Sequence, residues 1–125
     1  MNSIQKNTLS AGSQVDNEHV DSLIRTYKKE RWVQNSEKIN KEDSLSAWCG
    51  VEELEDFIEK SKLHGADGIK MYFGAYPEDY AEMPEYSGRQ TIVMVATKSK
   101  ETSQGTINKN LYFAEGDTPQ ILAIG

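Results

Sequence analysis

Residues 67–97, DGIKMYFGAYPEDYAEMPEYSGRQTIVMVAT, decide the fold. Ile69, Met71 and Phe73 alternate with Lys70 and Tyr72, which is the period of a β-strand, and Gly74 is expected to end it. After a long loop, Thr91 to Thr97 is a nearly continuous apolar run, the pattern of a central strand covered on both faces. Immediately before this stretch, Val51, Leu54, Phe57 and Ile58 fall at helical spacing and predict a helix over 51–64. Glu52, Glu53, Glu55 and Asp56 lie in its first turns and Lys60, Lys62 and His64 near its end, each the sign the helix dipole favours there. Gly65 supplies a left-handed stop.

Further out the signals are shorter. Ser44 to Trp48 alternates and reads as a short strand, preceded by a polar linker, QNSEKINKED, at 34–43. Val20, Leu23, Ile24 and Tyr27 share one helix face and place a helix at 18–32, capped by Asp16 or Asn17. Residues 1–17 are rich in Ser, Asn, Gln and Thr and are expected to be flexible. Downstream, 98–109 reads as a long polar turn. Strands are expected at 111–114 and 120–124, joined by Gly116-Asp117-Thr118-Pro119. The expectation is a flexible segment followed by one α+β domain over 18–125. It has a single mixed or mostly antiparallel sheet of about four to five strands with two helices packed on it. The strand at 44–48, the helix at 51–64 and the strand at 69–73 are in the right order for a right-handed βαβ unit.

The 125 residues fit one domain, and one cysteine excludes an intramolecular disulfide. No basic flank and apolar run opens the chain, and its longest apolar stretch, Ile92 to Ala96, is far too short for a bilayer. A soluble, cytoplasmic protein with no membrane partner is the expectation. The net charge of −6 is concentrated: residues 51–86 hold three bases against ten acids. Such a field repels phosphates and argues against nucleic acid. A local basic patch at Arg25, Lys28, Lys29 and Arg31 reads most simply as a solvated helix face.

Candidate chemistry is sparse. Cys49 sits between the expected strand and the helix start, beside Gly50, where backbone N–H groups favour a thiolate. Four acids in the next seven residues oppose an anion there, and the alternative is a small buried hydrophobe beside Trp48. Two isolated histidines and one cysteine give no zinc spacing, and no calcium-loop, phosphate-loop or nucleophile-elbow motif occurs. Neither a metal nor a cofactor is expected.

The remaining feature is the loop. Four of the six tyrosines, Tyr72, Tyr76, Tyr80 and Tyr86, lie within 67–86, interleaved with Glu78, Asp79, Glu82 and Glu85. Pro77 can open a helical turn that stacks Tyr76 on Tyr80, and Met83 and Pro84 add apolar area. Tyrosine gives large contact area at low entropic cost, and interleaved carboxylates suit a protein or other cationic partner. The same tyrosines serve equally to fold the loop over its own sheet edge.

The run Ser46-Ala47-Trp48, the acidic helix, DGIKMYFGAY at 67–76 and TIVMVAT at 91–97 together resemble a group of small uncharacterised bacterial proteins. That group carries a DGI(K/R)(M/I)YFGxY motif. Its members usually have Phe where Cys49 stands, which tells against a nucleophile. The resemblance covers roughly 44–97 and implies a shared fold and no mechanism. Three functions follow from the residues. The first is a non-catalytic binding module using Tyr72, Tyr76, Glu78, Asp79, Tyr80, Glu82 and Tyr86. The second is a thiol-dependent enzyme at Cys49, paired with His64. The third is a homo-oligomeric subunit joined through the C-terminal strand.

Overall fold

The computed structural model describes residues 12–111 and the backbone of 121–123. The chain divides into two compact units, Met1–Leu45 and Ser46–Gly125.

The first unit is helical. Helix α1, Asn17–Tyr27, runs through a five-residue π-helical turn, Lys28–Trp32, into α2, Val33–Ile39. Asp16 caps α1, its carboxylate accepting from the His19 N–H at 2.8 Å. The helical path therefore continues seven residues past the end expected at Trp32, through most of the polar segment read as a linker. It ends at Asn40, which adopts the left-handed conformation that asparagine tolerates (φ 59°). Two hydrogen bonds then fold the chain back along the helix. The Trp32 indole N–H donates to the Asp43 carbonyl at 2.8 Å, and the Asp43 N–H donates to Ser36 Oγ at 2.9 Å. The expected strand at 44–48 does not form, and these residues are irregular. Without it there is no βαβ unit.

The second unit pairs helix α3, Val51–Leu63, with a sheet. Helix α3 matches its sequence signals closely. Glu53 reaches back to accept from the Gly50 N–H at 3.3 Å. At the other end the Ala66 N–H donates to the Ser61 carbonyl and the Gly65 N–H to that of Lys62, both at 2.9 Å, with Gly65 at φ 87°.

The sheet is antiparallel throughout. Strand β2, Gln90–Thr102, is its spine: β1, Gly68–Ala75, pairs along one edge and β3, Gly105–Asn110, along the other. Short β4, Ile121–Ala123, pairs with Ile92 to Met94 of β2. The expected strand at 120–124 is thus formed in its centre, while 112–114 of the strand expected at 111–114 lie outside the described residues. The long turn expected at 98–109 is instead a β-hairpin. Only Ser103 and Gln104 turn the chain, Gly105 takes φ 117°, and Thr102 Oγ1 donates to the Gly105 carbonyl at 2.6 Å. Apart from Ile107 the paired residues of the hairpin, 98–102 and 105–110, carry no large apolar side chain, so no apolar alternation marks them.

The apolar core of the described residues is Phe57, Val95 and Ala96. Neighbouring residues on a strand face opposite ways, so burial of both Val95 and Ala96 shows that β2 is covered on both sides there. The DG pair of the motif serves this sheet. Asp67 Oδ1 accepts from the Ser99 N–H at 3.0 Å, and a Cβ on Gly68 would stand 3.0 Å from Thr97 Oγ1. One clamps the start of β1 to β2, and the other lets the strands close.

Candidate functional site

The loop after β1 closes on itself. The Tyr76 N–H donates to the Arg89 carbonyl at 3.0 Å and the Gly88 N–H donates to the Tyr76 carbonyl at 3.1 Å, fastening its two ends together. Inside, a short 3₁₀ turn at Pro84–Tyr86 is held by the Tyr86 N–H on the Met83 carbonyl at 2.9 Å. Tyr76 and Tyr80 do meet, with ring centroids 4.8 Å apart, though Pro77 opens a turn rather than a helix. Tyr86 packs on Tyr76 from 5.7 Å. All three rings are half-buried. They form the loop's own small core.

The acids lie at the loop's surface, and one of them, Glu82, accepts a hydrogen bond from the Tyr80 hydroxyl. Glu78, Asp79, Glu82 and Glu85 are all exposed, and so is Met83 between them. Partial burial pushes the Tyr80 hydroxyl above its ordinary pKa, and the nearby Glu82 carboxylate and then Tyr76 push the same way. Tyr80 is therefore a neutral scaffold group at physiological pH. What the loop exposes is four carboxylates and one thioether, with no base between Tyr76 and Tyr86.

Tyr72 does not belong to this cluster. It stands on β1, its hydroxyl accepting from Asn110 Nδ2 at 2.8 Å across β2, with Lys70 Nζ 5.7 Å from its ring centroid. The hydrogen bond ties β1 to β3 across the sheet. Met83, by contrast, joins the site. Its signal in the sequence was an apolar residue with carboxylates on both sides.

The helical unit holds a second feature. A groove of about 550 Å³ is lined by the apolar side chains of Trp32, Val33 and Leu45 and by the bases Arg25, Lys28 and Lys29. Glu42 is its one acid. None of the three cations forms an ion pair with a described residue. The π-helical turn supplies Lys28, Lys29 and Trp32, and such widened turns are frequent where helices carry function. Arg31, the fourth base of the patch, is not part of the groove, its guanidinium donating to the Glu30 carbonyl at 3.2 Å.

Cys49 lies in the irregular segment before α3 and is half-buried. Trp48 beside it is 74% exposed, so the pair is not a packed core element. His64 closes the far end of α3, fifteen residues on, with the thirteen-residue helix, about 20 Å of helix axis, between them. That separation rules out the Cys49–His64 pairing. Among the described residues no group of three or more His, Cys, Asp or Glu side chains is arranged to hold a metal ion. No helix among them is long and apolar enough to cross a membrane. Compared with known proteins, the chain matches no family model, no curated protein and no solved structure.

Proposed function

We propose that this chain is a small non-catalytic binding module whose working surface is the acidic rim of the 76–86 loop, and that its partner is a cationic polypeptide. The observation that carries the reading is the division of labour in the loop. Three tyrosines fasten it from within, so four carboxylates and Met83 are presented on a preformed frame. Preformed surfaces bind at lower entropic cost than flexible ones. Individually, exposed ion pairs contribute at most about 1 kcal/mol, but a single-sign rim steers a cationic partner and fixes its register. A cytoplasmic setting and membership of the bacterial group that shares the DGIKMYFGAY motif belong to the same proposal.

The test titrates an oligolysine peptide against the full chain and against a Glu78→Gln, Glu82→Gln, Glu85→Gln variant. The native chain is expected to bind, with affinity falling as salt rises, and the variant to lose roughly tenfold or more. Equal binding by the two proteins would sink the reading. The variant conserves size and hydrogen-bonding shape, so a matching circular dichroism spectrum separates lost charge from lost fold.

A further inference from the structure

We propose that the cationic partner is a second copy of this chain, whose acidic loop docks in the Trp32 groove of the first; this rests on the reading of the loop given above. The two surfaces are complementary in charge and in layout. The groove is lined by three cations that form no ion pair among the described residues and by the apolar side chains of Trp32, Val33 and Leu45. The loop sets carboxylates around an exposed methionine, with Glu82 directly before Met83 and Glu85 two residues after it.

Met83 fits these apolar side chains chemically. A thioether is unbranched and polarizable, fills irregular apolar gaps and packs well on aromatic rings, and Trp32 offers such a ring. Trp32 is also fixed in place, because its indole N–H is committed to the Asp43 carbonyl at 2.8 Å. Docking Met83 on that ring brings the neighbouring acids among Arg25, Lys28 and Lys29. Arginine supplies a planar fork to a carboxylate and lysine a flexible point charge, so the cationic rim tolerates some variation in approach. Glu42, the groove's single acid, adds a repulsive element that favours one seating of the loop over others.

Each copy carries one groove and one loop. The same contact can therefore be made by either copy on the other.

Sedimentation of the full chain through a concentration series reaching the millimolar range tests this. Association is expected to rise with concentration and to weaken roughly tenfold or more as ionic strength goes from about 0.05 to 0.5 M. Two charge-reversed proteins provide the decisive arm. One carries Arg25→Glu, Lys28→Glu and Lys29→Glu, and the other Glu78→Lys, Glu82→Lys and Glu85→Lys. Each alone is expected to remain monomeric, and an equimolar mixture of the two to associate again. Restored association also shows that both variants are folded. A native chain that stays monomeric throughout, or association that survives reversal of the loop charges, overturns the proposal. Retained oligolysine binding by a strictly monomeric chain leaves the loop reading intact and removes only the second copy as its partner.

Discussion

Single residues hold the ends of this structure's elements. Gly65 stands at φ 87° with open space where a Cβ would go, so Gly65→Ala meets backbone strain and nothing else. The expected loss is about 1 kcal/mol, read as a lower urea midpoint at unchanged slope. Asp67 combines two acceptor contacts to Ser99 with a 3.8 Å ion pair to Lys98. Asp67→Ala leaves the Ser99 N–H without its acceptor and is expected to cost about 1–2 kcal/mol in the same measurement. Tyr80 yields a pH prediction. Its hydroxyl is held above the ordinary tyrosine value by burial first and by Glu82 second. A raised folded pKa favours the protonated state, so the contribution is complete below about pH 10 and is lost as pH rises beyond it. The loop is therefore expected to loosen in alkali before the sheet does, and Tyr80→Phe to remove that step from the absorbance titration.

At the scale of elements, two phenylalanines make opposite predictions. Phe57 on α3 is 3% exposed, and Phe57→Ala is expected to destabilise by about 3–5 kcal/mol in denaturant unfolding. Phe73 on β1 is 81% exposed, and Phe73→Ala is expected to stay within about 0.5 kcal/mol of the native chain. Both fall on an apolar stripe in the sequence, and periodicity reports which residues share a face and not whether that face is covered. Helix α3 was legible to its last turn, since charges, apolar stripe and Gly65 all agree. The β2–β3 hairpin was not legible. Lys98, Ser99, Lys100 and Glu101 have no apolar partner pattern, and the strand is set by main-chain pairing and by Asp67 reaching Ser99 from the sequence-distant β1 side. The strand expected at 44–48 failed for the converse reason: its alternation was real, but the chain there is irregular and runs past an exposed Trp48. In the loop, the Tyr76–Tyr80 contact followed from spacing. That the three rings pack together while the acids stay exposed needed the closure by Arg89 and Gly88, which no local pattern announces.

At the scale of the molecule, charge is segregated within a chain whose net value is −6. The bases around the Trp32 groove and the acids of the 76–86 loop are far apart in sequence and are built on different units. The consequence of β2 concerns the order in which the sheet assembles. Among the described residues every other strand pairs with β2 and none with another. Joining β3 to it closes a connection of two residues, whereas joining β1 closes one of fourteen, 76–89. The longer closure costs about 2 kcal/mol more in chain entropy. The polar hairpin, which contributes least to the core, is thus expected to form first, read as the earliest amide protection of 98–110 during refolding. The apolar pairing of β1 arrives on a template already standing, and the tyrosine loop is stitched shut only after both its ends are in place.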